Sequence, residues 1–232
     1  MRSNNRSVVT EPPYFTRRDI DVLGATPHVV RAPHIVDEHE ASLHRSVNVG
    51  AALVVALGEY RGELRRAIHR MKFRNARWIA VRFGRHLARA IGEGMGGSAG
   101  LVQTALDPGL HGVDVVTFVP TTARRRRLRG HDQSALVASG VARTMRVRFV
   151  RTLRRIDSRV QTGSSRAQRL HGPRFVAHAR AVRGRNVLLV DDVLTTGSTL
   201  RRARSALLRA GAAEVRCVVV AYVKAPPLTR VE

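Results

Sequence analysis

With 232 residues, 44% of them apolar, the chain is long enough to bury one good-sized core, which favours one globular domain with an appended tail. Its formal charge of +24, from 41 basic against 17 acidic residues, favours anionic partners such as phosphates or nucleic acid, although an arginine-rich solvated surface would carry the same charge. An aromatic content of 4% leaves little material for base-stacking platforms, and the single Cys217 excludes an internal disulfide or a cysteine-based zinc site.

The opening residues MRSNNRSVVTEPPYF lack the apolar core of a signal peptide, and the apolar stretch 51–57 is far too short to span a bilayer. No membrane insertion and a cytoplasmic address are therefore expected. Residues 1–47 mix Asn, Pro, Arg, His and acids without a sustained period, which predicts a poorly ordered N-terminal tail before a domain over 48–225 and a short C-terminal tail over 226–232. His28, His34, His39 and His44 fall in the first tail with no recurring ligand pair, and read as solvated.

Residues 51–58 predict a first strand. Two helices follow over 62–74 and 76–91, where Leu64, Ile68 and Met71, then Ile79, Phe83, Leu87 and Ile91, recur at helical spacing. A glycine cluster with Asp107 and Pro108 makes 92–112 a connection. A strand over 113–119 stops at Pro120, and a basic loop over 121–130 leads to a helix over 132–145 that Asp132 is placed to cap. Residues 147–153 and 174–178 are weaker strand candidates, and 154–173, rich in Arg, Ser, Gln and Gly, predicts a mobile loop.

Residues 186–190 form a wholly apolar run, as in strands covered on both faces. A helix follows to residue 210, with Leu200, Ala203, Leu207 and Ala210 on one face and Gly211 as its stop, and then a strand over 215–223 that contains Cys217 as a buried small hydrophobe. Strand, helix, strand with a crossover defines a doubly wound, mainly parallel α/β sheet.

The chemistry concentrates in residues 187–199, which read VLLVDDVLTTGST. Asp191 and Asp192 stand at the carboxyl end of a buried strand, where open α/β sheets bind ligands. Helix capping would explain one acid but hardly both, whereas a sugar diol offers two hydroxyls to satisfy them. Thr195, Thr196, Gly197, Ser198 and Thr199 immediately precede a helix, so backbone N–H groups and hydroxyls can converge on one anion, with Gly197 admitting close approach. The segment is neither a nucleoside-triphosphate P-loop nor a dinucleotide fingerprint.

This segment resembles the ribose-phosphate signature of type I phosphoribosyltransferases. The resemblance implies that Asp191 and Asp192 hold the ribose 2- and 3-hydroxyls of phosphoribosyl pyrophosphate, that Thr195 to Thr199 hold its 5-phosphate, and that Mg2+ is held by the substrate's own oxygens. From about residue 50 to 223 the chain is similar to the ComF competence-protein family. YRGELRRAIHRMKF over 60–73 resembles that family's leading helix with its Lys-Phe pair, VPTTARRRRLRGHDQ over 119–133 its Val-Pro to Asn-Gln segment, and Arg155 with QTGSSRAQR over 161–169 its mobile loop. His131 and Asp132 stand where the family shows Phe and Asn, Gly172 where it shows Asn, and its N-terminal four-cysteine zinc module has no counterpart.

A leaving pyrophosphate needs donors of its own, for which the turn at Thr121, Thr122 and Arg124 is a candidate, with Arg129, Arg155 or Arg166 closing over it. Purine-salvage members place an Asp where this chain has Thr195, which cannot act as a general base at neutral pH. Two functions stay open at this point. One is Mg2+-dependent phosphoribosyl transfer to an unknown acceptor. The other is a non-catalytic role in DNA uptake, with single-stranded DNA as partner, as the ComF resemblance implies.

Overall fold

The computed structural model describes residues 28–32, 52–74, 76–93, 112–156 and 173–224. A six-stranded sheet runs in the order β1-β2-β8-β7-β3-β4, where β1 is His28–Ala32, β2 Ala52–Glu59, β3 Val115–Phe118, β4 Arg148–Phe149, β7 Asn186–Leu194 and β8 Glu214–Tyr222. All neighbours are parallel except the edge pair β1 and β2. β5 (Leu153–Ile156) and β6 (Arg174–Ala177) form a separate antiparallel ribbon. This is the mainly parallel, doubly wound arrangement that the alternating apolar segments predict.

Strand alternation divides the apolar residues between two cores. On one face Val55, Leu57, Val116, Phe118, Leu188, Val190, Val218 and Val220 meet helices α1 (Gly62–Phe73), α2 (Arg77–Glu93) and α4 (Gln133–Met145). On the other, Val54, Val187, Leu189, Val215, Cys217 and Val219 meet α6 (Ser198–Arg209), with the short α5 (Ala179–Val182) and the β5–β6 ribbon beside it. Cys217 is buried and unbridged. Among the described residues no helix is long and apolar enough to cross a membrane.

Several expectations change on folding. His28–Ala32, placed in an irregular tail, pairs antiparallel with β2, because five residues are too few to set a period yet enough to satisfy an open sheet edge. The rest of 1–51, with His34, His39 and His44, lies outside the described residues, as do 94–111 of the glycine-rich connection, 157–172 of the expected mobile loop, and 226–232. That loop was expected to begin at residue 154, but Arg154 to Ile156 pair within β5. The strand expected over 147–153 divides into the edge strand β4 and the start of β5.

The basic loop expected over 121–130 contains the helix α3 (Ala123–Arg129). Thr122 Oγ1 accepts from the Arg125 N–H at 3.2 Å and Gly130, at φ 72°, closes the far end, so caps and arginine's own helix propensity form it without any buried face. Asp132 makes no capping hydrogen bond to α4. Its carboxylate turns instead to the Thr121 N–H, at 2.8 Å.

Helices α2 and α4 cross through glycines. A methyl group on Gly84 would lie 2.3 Å from the Val137 carbonyl oxygen, and one on Gly140 would lie 2.7 Å from that of Val81. Gly84→Ala should therefore destabilise the fold by about 1–3 kcal/mol, since overpacking outweighs the helix propensity that alanine gains. Urea denaturation checks this; an unchanged or higher midpoint would mean that the helices do not approach so closely.

Candidate functional site

The site forms where β3 drops out of the sheet. Its last paired residue, Phe118, faces Val190 on β7, and the Val119 N–H still donates to the Val190 carbonyl at 3.0 Å. Pro120 then has no N–H to give and the chain turns away. β7 runs on for four residues, with Asp191 opposite Val219 and Leu194 opposite Tyr222 on β8 alone. Asp191 and Asp192 thus lie within β7, beside a notch in the sheet. Neighbouring residues of a strand point to opposite faces, so both can reach one ligand only where the sheet ends alongside them.

The notch opens into a cleft of about 400 Å³, lined by Asp191, Asp192, Thr195, Gly197 and Thr199 together with Lys72, Phe73, Thr121 and Ser134. Asp191 is half-buried, and its Oδ1 accepts from the Asp192 N–H at 2.8 Å and from the Ser134 hydroxyl at 3.0 Å. Lys72, near the end of α1, pairs with Asp192 Oδ2 at 2.7 Å. Burial first, and then the neighbouring Asp192 charge, push the Asp191 carboxyl up to about 7; the two hydrogen bonds and Lys72 oppose this without cancelling it. The two acids are therefore unlike: one leans towards its protonated form and the other is held as an ion pair.

The loop that follows divides its residues. Thr195, Gly197 and Thr199 line the cleft, while the hydroxyls of Thr196 and Ser198 meet each other at 3.1 Å. Gly197 adopts φ 72° directly before the first turn of α6, a left-handed backbone that glycine takes at least cost. Of the residues expected to serve a second anion, Thr121 lines the cleft but its N–H is taken by Asp132, Thr122 caps α3, and Arg124 is exposed and absent from the cleft wall. Arg129 and Arg155, expected from the sequence to close over that anion, line the cleft, and Arg125 lines it beside them. A helical rather than extended 123–129 segment brings Arg125 and Arg129 round one turn apart. Arg166 lies outside the described residues.

Asp132 is buried, and this raises its pKa; the amides of Thr121 and Ala135 oppose the rise. His131 shows why a histidine can stand where a phenylalanine is usual. Neither ring nitrogen finds a partner among the described residues, and burial, then Arg77, lower its pKa, so it packs as a neutral ring. Ser134 carried no signal in the sequence, and nothing there set Arg125 apart from its neighbours in the run Arg124 to Arg127. Lys72 did carry a signal: it is one of two lysines in a chain whose other cations are arginines.

Parallel sheet, notch, carboxylate pair and hydroxyl-rich turn before a helix are arranged as in a type I phosphoribosyltransferase-like fold. Residues 131–230 match the phosphoribosyl transferase domain. The chain is 29% identical to the DNA utilization protein YhgH of Salmonella typhimurium and, equally, to that of Escherichia coli K12, over 174 residues that cover 70% of this chain and 69% of each relative. Among solved structures, glutamine phosphoribosylpyrophosphate amidotransferase from B. subtilis is 26% identical with a TM-score of 0.38, covering 61% of this chain and 26% of that one.

The raised Asp191 pKa has a definite consequence for stability. A carboxyl whose folded value lies above its ordinary 3.8 binds more protons folded than unfolded, so its contribution is full below pH 4 and is lost as the pH rises through about 7. Asp191→Asn should flatten that decline and raise the unfolding free energy at pH 8 by about 1 kcal/mol or more. Denaturation between pH 5 and 8 checks it; parallel curves for the two proteins would refute the shift.

Proposed function

We propose that the cleft binds phosphoribosyl pyrophosphate together with Mg2+ and that the protein transfers the phosphoribosyl group to an acceptor. The single observation that carries this reading is the convergence on one notch of Asp191, Asp192 and the turn through Gly197. Asp191 and Asp192 would accept hydrogen bonds from the ribose 2- and 3-hydroxyls. Thr195, Thr196, Gly197, Ser198 and Thr199 would take the 5-phosphate through backbone N–H groups and hydroxyls, each charge-assisted bond contributing about 1.5–3 kcal/mol. Transfer breaks the bond from ribose C1 to pyrophosphate, which leaves with the electron pair while a lone pair of the acceptor forms the new bond.

Arg125, Arg129 and Arg155 stand where the leaving group would need donors. Mg2+ would be held through the substrate's own oxygens, since the Lys72 ammonium already engages Asp192 and Asp191 leans towards its neutral form. Bound there, the ion would neutralise charge on the departing pyrophosphate. Thr195 offers no general base, which disfavours purine salvage.

The second reading, a nucleic-acid-associated protein of DNA uptake, is favoured by the named YhgH relatives and by the exposed run Arg124 to Arg127 on α3. It predicts single-stranded DNA binding that weakens steeply with salt, and absence of binding at low salt would remove it.

Calorimetric titration with phosphoribosyl pyrophosphate and Mg2+ tests the first reading. Wild type should bind, and the double variant Asp191→Asn, Asp192→Asn should lose about a hundredfold or more in affinity. Equal affinity in the two proteins, or no binding by wild type, would overturn it.

A further inference from the structure

A second groove lies between α6 and the β5–β6 ribbon and shares no lining residue with the ribose-phosphate cleft. Its volume is about 360 Å³, and its walls are Pro173, Arg174 and Phe175 of the ribbon side and Arg201, Arg202, Ser205 and Arg209 of α6. Four of these residues are arginines and none is acidic. At 3.6 residues per turn, positions 201, 202, 205 and 209 fall within an arc of about 100° on the helix. They form one polar stripe, while Leu200, Ala203 and Leu207 turn to the core.

Two features separate this stripe from the solvated arginines found elsewhere on the surface. Ser205, at its centre, is buried, because the ribbon lies over that part of the helix and makes the stripe the floor of a groove. Arg202 Nε is buried with no hydrogen-bond partner among the described residues. A donor on a charged group left so costs free energy that an incoming oxyanion would recover, and guanidinium forks match phosphate oxygens two at a time. From Arg202 to Arg209 the stripe extends about 10 Å, more than one phosphate group needs.

We propose that this groove is a second phosphate-binding site, independent of the ribose-phosphate cleft, for a ligand carrying several phosphate groups in a chain. Such a chain occurs in a free polyphosphate and in the backbone of a single-stranded nucleic acid, and the groove reads the phosphates in either. α6 then serves two anions, one at its first turn and one along its flank.

The test uses the full chain with two probes: inorganic triphosphate by calorimetry and a labelled oligothymidylate of about 16 nucleotides by fluorescence anisotropy. Arg174→Gln with Arg202→Gln is compared with Arg85→Gln with Arg89→Gln, which removes the same charge from exposed positions of α2. The groove variant should weaken at least one probe by about tenfold or more while the control stays within about twofold of wild type. Loss confined to triphosphate identifies a free polyphosphate as the ligand, and loss of the oligonucleotide identifies a nucleic-acid backbone. Equal weakening by both variants, or by neither, would overturn the proposal. Circular dichroism of both variants, and an unchanged response to phosphoribosyl pyrophosphate, separate a local loss from misfolding.

Discussion

The site depends on one constraint: two adjacent carboxylates have to be kept at the end of a buried strand. Like charges on neighbouring residues repel, and both lose water on folding, so the arrangement persists only if the two acids are made different. Lys72 holds Asp192 as an ion pair, while burial and then the Asp192 charge raise the Asp191 carboxyl against the opposing hydrogen bonds of the Asp192 amide and Ser134. These partners come from three separate elements. α1 supplies the lysine, α4 the serine and β7 the acids, so the site exists only when one complete face of the sheet is packed.

That packing explains features which have no chemistry of their own. The glycine crossing of α2 and α4 draws α4 close, and α4 carries Ser134. The early end of β3 at Phe118 leaves the notch, and the turn after Pro120 is tied down by Asp132 through the Thr121 N–H. A carboxylate on that amide occupies a donor that the sequence offered to a substrate anion, and Arg125, Arg129 and Arg155 line the cleft beside it. Arg129 is itself positioned, its guanidinium 4.9 Å from the Phe73 ring and bonded to Gln133 Oε1 at 3.2 Å.

The high positive charge takes on a more specific meaning once the fold is known. Arginines that look equivalent in the sequence separate into a solvated run on α3, a group at the cleft and a stripe beneath the β5–β6 ribbon. The last two line concave surfaces, with Arg129, Arg155, Arg201 and Arg202 half-buried there and Arg125, Arg174 and Arg209 exposed at the edges.

By itself the sequence determined the alternation of strands and helices, the two-sided burial of β7 and β8, and the place of Asp191, Asp192 and the turn at Gly197. These follow from local rules: apolar period, glycine and proline, and acids directly after an apolar run. It gave no access to β1, too short for a period, or to α3, whose helix rests on caps and propensity with no buried face. The partners Ser134 and Arg125 were equally out of reach, because a serine or an arginine acquires a role only from what the fold brings beside it. Which arginines line a cleft, and how far the Asp191 carboxyl is raised, are set by burial and by what the fold brings alongside. Those quantities exist only in the folded molecule.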